Sequence, residues 1–180
     1  MLQDSTIWKV AGVFFKEPSQ EHYLKEISRK AELAHTSVKK HLQKLVKESV
    51  IKETIQKKGS RDFPVFKANI NGGAYVRAKK HYNLHTPSFY GLLNYISVRL
   101  SPRTIILFGS YARGADIEES DIDLFVECKK QNINLTQYEQ YKELNRKIQL
   151  HFEENFKKLP KELKNNIING IVLKGYLEAF

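Results

Sequence analysis

The feature that most constrains this chain is an apolar run, Ile105 to Phe108, that meets Gly109-Ser110 and leads, ten residues further on, into Asp121-Ile122-Asp123-Leu124. Alternate residues of a strand point to one face, so Asp121 and Asp123 project side by side. Two unpaired carboxylates repel each other, and a divalent cation between them removes that cost. Oxygen ligands of this kind suit Mg²⁺ carrying a nucleoside triphosphate. Glycine lets the backbone approach a phosphate closely, and the N–H groups at a following helix start attract anions. Taken singly these signals are weak: half-exposed strands often carry acids on their wet face, Ser110 also reads as a helix cap, and Arg113 as an exposed structural arginine. Together, the strand, the turn and the spacing are specific.

Gly109-Ser110-Tyr111-Ala112-Arg113-Gly114 and Ser120-Asp121-Ile122-Asp123-Leu124 resemble the nucleotidyltransferase superfamily that includes DNA polymerase beta, and are most similar to the minimal nucleotidyltransferases of bacteria and archaea. The resemblance implies transfer of a nucleoside monophosphate from an NTP to a hydroxyl, with Mg²⁺ (or Mn²⁺) as the ion. Asp121 and Asp123 would be the catalytic, metal-holding pair, and Gly109, Ser110 and Arg113 the nucleotide contacts. It also implies a third carboxylate on a later strand. The corresponding stretch, Lys147-Ile148-Gln149-Leu150-His151-Phe152, alternates Ile148, Leu150 and Phe152 inward and leaves Gln149 and His151 on the other face. Gln149 thus stands where the third acid is expected, with Glu153 or Glu154 as substitutes if the strand register is shifted. Loss of that acid should harm transfer more than nucleotide binding.

Charge divides the chain. Residues 1–100 hold 18 Lys and Arg against 8 Asp and Glu, whereas residues 101–180 hold 12 of each, so the whole surplus of +10 lies outside the acid-pair segment. Such asymmetry points to a basic module for duplex DNA beside a separate nucleotide module; lysines kept for solubility are the plainer reading. The single Cys128 forms no internal disulfide, and the first residues show no basic region leading into an apolar one. A reducing cytoplasm and no membrane partner are therefore expected.

The first half reads as three short helices and a hairpin. Ser5 is the expected cap of a helix with Ile7, Val10, Ala11 and Phe14 in register, Ser19 of a second carrying Leu24, Ile27 and Ala31, and Thr36 of a third. The third buries Val38, Leu42 and Leu45 and turns Lys39, Lys40, Gln43, Lys44 and Lys47 outward. Strands over 50–56 and 63–70 flank the basic turn Lys57-Lys58-Gly59-Ser60-Arg61, with Pro64 compatible with an edge strand. This order resembles a winged helix-turn-helix domain over roughly residues 4–70. By that resemblance Ser37, Lys40 and Gln43 read bases, while Lys39, Lys44, Lys58 and Arg61 contact phosphates. A protein-contact role is the alternative.

The expected fold class is α+β: a winged helix-turn-helix domain over 1–70, a helical connector over 71–100 that contains no acid, and a minimal nucleotidyltransferase domain with a mixed sheet over 101–180. The order expected from Arg103 is strand (104–108), helix (111–114), strand (121–127), helix (134–147), strand (147–152) and helix (160–168). Asp116, Glu118 and Glu119 read as solvated loop acids, and His81 and His85 as surface residues. The leading function is a nucleotidyltransferase brought to nucleic acid by the winged helix. The resemblance adds a protein acceptor such as a HEPN-type toxin, and the sequence leaves a homodimer open. The alternative is a DNA-binding regulator, or an antitoxin-type partner, whose nucleotidyltransferase domain binds nucleotide but is catalytically weak.

Overall fold

A computed structural model of the chain describes residues 5–179, apart from the side chain of Lys58. Residues 1–4, part of the stretch read for a leader, lie outside the described residues. The chain forms an α+β fold of two compact units, the first ending at Tyr82 and the second beginning at Asn83. No helix among the described residues is long and apolar enough to cross a membrane.

The first unit contains α1 (Thr6–Lys16), β1 (Glu21–Tyr23), α2 (Leu24–Ala31), α3 (His35–Lys47), β2 (Ile51–Lys58), β3 (Arg61–Ala68) and most of α4 (Gly73–His85). Its antiparallel sheet has the order β1-β3-β2. Val10, Phe14, Ile27, Val38 and Leu42 are fully buried between helices and sheet, as the helical spacing requires, and Ile51 of β2 is buried with them. Tyr75 of α4 joins them and donates its hydroxyl to the Phe14 carbonyl at 3.0 Å.

Several expectations need correction here. Ser19 caps no helix: Glu21–Tyr23 pairs with Lys67–Val65, which places His22 inside. A three-residue strand carries too little alternation to outweigh the cap chemistry beside it. The third helix starts after Ala34, one residue before Thr36. The hairpin is tighter than expected, with Lys58 opposite Arg61 across Gly59-Ser60, and Gly59 supplies the positive φ of 63° that the reversal needs. Pro64 lies in the central strand, yet β1 pairs only with residues 65–67, so the side of β3 that would need its N–H meets no strand.

The second unit contains α5 (Pro87–Leu100), β4 (Thr104–Phe108), α6 (Gly109–Arg113), β5 (Ile122–Glu127), β6 (Ile148–Phe152), α7 (Lys161–Ile168) and β7 (Ile171–Lys174). The mixed sheet has the order β6-β5-β4-β7, with β5 and β6 parallel and the other pairs antiparallel. One face packs Ile105, Leu107, Ile122, Leu124 and Val126 against α5 residues Phe89, Leu92 and Ile96. The other face carries Ile106, Phe108 and Phe125 under Phe156 and Ile167.

The expected helix over 134–147 is absent. Two short 3-10 turns, Leu135–Gln137 and Tyr141–Leu144, replace it. Leu135, Tyr138, Tyr141 and Leu144 recur every third residue and all face the same core, which is the period of a 3-10 helix and not of an α-helix. Asn134 accepts from the Thr136 amide at 3.1 Å and Asn145 turns left-handed at φ 47°, closing both ends. Strand β7 lay outside the sequence expectation. Gly170 precedes it, and a Cβ there would meet the Leu107 carbonyl oxygen at 2.5 Å, so only glycine lets the chain come this close to β4.

Candidate active site

The site is built where β4 ends beside the start of β5. Phe108 is the register partner of Asp123, which brings the Gly109 turn against the Asp123 carboxylate. Gly109 has φ 77°, and a Cβ on it would lie 2.5 Å from Asp123 Oδ2. Glycine is therefore required twice over, for its conformation and for the space. Ser110 lies in the first turn of α6, half-buried, while the cap position is Phe108 and carries no side-chain cap; the helix-cap reading of Ser110 does not hold. Arg113 sits in the last turn of α6 and is exposed.

Parallel pairing sets Asp123 opposite Gln149 and Phe125 opposite His151. Asp121, Asp123, Gln149 and His151 thus share one side of the sheet edge, while Ile148, Leu150 and Phe152 turn to the other core. The Gln149 amide donates to Asp121 Oδ2. Nε2 of His151 lies 3.5 Å from Asp123 Oδ1, and the imidazole packs against the Phe108 ring at 5.2 Å. Glu153 follows β6, where it accepts from the Asn155 amide at 3.1 Å, and Glu154 is exposed; neither faces Asp123 in the register.

The loop between α6 and β5 is anchored from beneath. Asp116, expected in solvent, is 2 % exposed: Asn83 Nδ2 donates to it at 2.8 Å, and Arg146 approaches to 3.6 Å. Asn83 also donates to the Tyr111 carbonyl at 3.0 Å, so one amide ties α6 to the loop that carries the acids. Sequence reasoning missed this set because Asn83, Asp116 and Arg146 are 30 to 63 positions apart and none of the three belongs to a motif. Cys128 is half-buried, and burial with the nearby Glu154 charge pushes its thiol up, as suits an inert residue.

In the first unit Lys39, Lys40, Gln43 and Lys44 are exposed along α3, Ser37 is half-buried, and Arg61 is exposed at the hairpin tip. Lys58 closes β2, its side chain being outside the described residues. His81 and His85 are exposed on α4. Among the described residues, Glu17, His22 and Glu26 bring three metal-type ligand atoms within 4.8 Å of one another. Lys30 already supplies the cation there, 2.5 Å from Glu17 and 2.8 Å from Glu26.

Residues 92–177 match the family described as Polymerase beta, Nucleotidyltransferase. This stretch is a polymerase beta-like nucleotidyltransferase domain. It contains the Gly109 turn, both acids, Gln149 and His151, whereas everything before residue 92 lies outside the match. No curated protein and no solved structure matches the chain. Domains of this family generally use a divalent metal and an NTP. The side chains here fit such an ion: Asp121 and Asp123 share one side of the sheet edge beside the glycine turn, and the buried His151 Nε2, without a hydrogen-bond partner, lies 3.5 Å from Asp123 Oδ1. Asp121 and Asp123 would hold it.

Proposed function

We propose that the nucleotidyltransferase domain binds a metal–NTP complex at the Gly109 turn and transfers its nucleoside monophosphate to a hydroxyl, releasing pyrophosphate. The observation that carries this is the register of Phe108 with Asp123, which sets the glycine turn and the metal-binding carboxylate against each other. Phosphates lying on the Gly109-Ser110 backbone would then be within reach of whatever Asp123 holds, and in this reading Arg113, exposed at the far end of α6, steadies the same triphosphate. When bound, a divalent ion neutralises the triphosphate and polarises the reacting phosphoryl group. Gln149 brings no negative charge and accepts no proton, so the acceptor hydroxyl lacks the activation a third acid supplies. Transfer is accordingly slow relative to binding.

The first unit supports a winged-helix reading: the order α1-β1-α2-α3-β2-β3, a lysine-rich outer face on α3, and a basic hairpin beside it. In that reading α3 enters a major groove of duplex DNA through Ser37, Lys40 and Gln43, and Lys39, Lys44, Lys58 and Arg61 hold phosphates.

A second reading is favoured by the Gln149–Asp121 hydrogen bond, which stabilises the acid pair without any ion. A regulator or antitoxin-type protein that senses nucleotide and transfers little would have this arrangement. Calorimetry of the full chain with ATP and CTP, each with and without Mg²⁺, tests the shared core of both. Asp123→Asn should weaken Mg·NTP binding at least tenfold; equal binding by wild type and variant would remove the site. Label transfer from NTP to oligonucleotides, tRNA or HEPN-type partners then separates enzyme from sensor.

A further inference from the structure

Resting on that reading, we infer that His151 is a direct ligand of the ion held by Asp123, and that the site therefore takes a first-row transition ion, such as Mn²⁺ or Co²⁺, ahead of Mg²⁺. His151 lies on the acid face of β6, two residues beyond Gln149, because parallel pairing carries that face past the Asp123 position. Its Nε2 is buried and has no hydrogen-bond partner. Asp123 Oδ1 lies 3.5 Å away, longer than an ordinary N–H···O bond.

Two ligands of one ion, each about 2.1 Å from it, stand roughly 3.0–3.4 Å apart, from octahedral to tetrahedral angles. The observed gap is close to that spacing and reads as a place for an ion between nitrogen and oxygen. Packing against the Phe108 ring keeps the imidazole aimed at the carboxylate. Imidazole nitrogen is a poor partner for Mg²⁺, which demands oxygen, and a good one for transition ions. Gln149 strengthens the argument: an amide there leaves the site with two negative charges where a third acid would give three. A nitrogen ligand then supplies affinity that charge does not.

The test is electron spin-echo modulation of the full chain with one equivalent of Mn²⁺, the bound fraction being defined as that lost in Asp123→Asn. Wild type should show nitrogen modulation typical of a directly bound imidazole, and His151→Ala and His151→Gln should lose it while keeping their thermal unfolding transition. Titration should show that displacing Mn²⁺ takes at least a tenfold excess of Mg²⁺ in wild type, and much less in His151→Gln. Mn²⁺ bound at Asp123 without nitrogen modulation, or with modulation unchanged in both variants, overturns the His151 assignment and leaves the metal–NTP reading standing. No Asp123-dependent Mn²⁺ binding, even with ATP, overturns both.

Discussion

At Gln149 one amide replaces a charge, and its consequences run in two directions. Donating to Asp121, it relieves the repulsion that a bare acid pair would feel, so the folded site tolerates the absence of an ion. Gln149→Glu removes that donor and sets three carboxylates together. Without metal the variant should lose about 1–3 kcal/mol of stability, the scale of a buried polar group left unsatisfied. With saturating Mg²⁺ or Mn²⁺ the loss should shrink or reverse, and transfer to an acceptor hydroxyl should rise. Thermal unfolding in chelator and in metal reads the first effect, and labelled-NTP assays the second. A metal-independent loss would mean that position 149 does not face the ion. The acids, the glycine turn and Gln149 were legible because short-range patterns carry them. His151 was legible as a face but not as a partner of Asp123, because only the β5–β6 register brings the two together.

Among the elements, α1, β1 and α2 are tied by a charge network that spacing alone does not announce. His22 on β1 lies 3.1 Å from Glu26 and 3.6 Å from Glu17, and Lys30 bridges the two acids. Burial pushes the Glu26 carboxyl up, but Lys30 and His22 together outweigh it and hold it below the usual carboxylate range. Burial likewise works against the Lys30 ammonium, and the two glutamates raise it above its usual value. A depressed carboxyl stabilises the fold above its ordinary value of 4.5 and stops doing so as pH falls through its lower folded value. Raised Lys30 contributes below 10.5 and ceases to as pH rises through its folded value. Lys30→Met should therefore cost under about 1 kcal/mol near neutrality, since the pair is partly exposed, and should flatten the loss of stability between about pH 5 and 3. Denaturant titrations of both proteins across that range check it; parallel curves would show that Lys30 does not hold Glu26. Elements with long periodic faces, α1, α3 and α5, were plain in the sequence. Those missed are short: β1 and β7 rest on pairing partners far along the chain, and the 3-10 turns show a period of three easily taken for a frayed helix.

At the scale of the whole molecule the unequal charge of the two halves becomes a measurable quantity. The surplus of +10 lies within residues 1–100, and the stretch 101–180 is neutral. Duplex DNA binding, on the proposed reading, depends on cations of α3 and the hairpin and not on lysines in general. Removing one phosphate-binding cation should lower the slope of log affinity against log salt by about 0.9. Replacing Lys39, Lys44 and Arg61 together by alanine should thus flatten the slope by roughly 3 and weaken all sequences alike, because these side chains are assigned to phosphates. Lys129, Lys130 and Lys142 are also exposed but sit in the neutral half, so their joint replacement by alanine is the matched control and should leave the slope unchanged. Fluorescence anisotropy with a random-sequence duplex from about 50 to 200 mM salt, the range over which phosphate binding weakens steeply, reads both variants. Equal flattening by the two would reduce the basic surface to general attraction. No change in either would remove duplex DNA as a partner of the first unit and leave its α3 face to a protein.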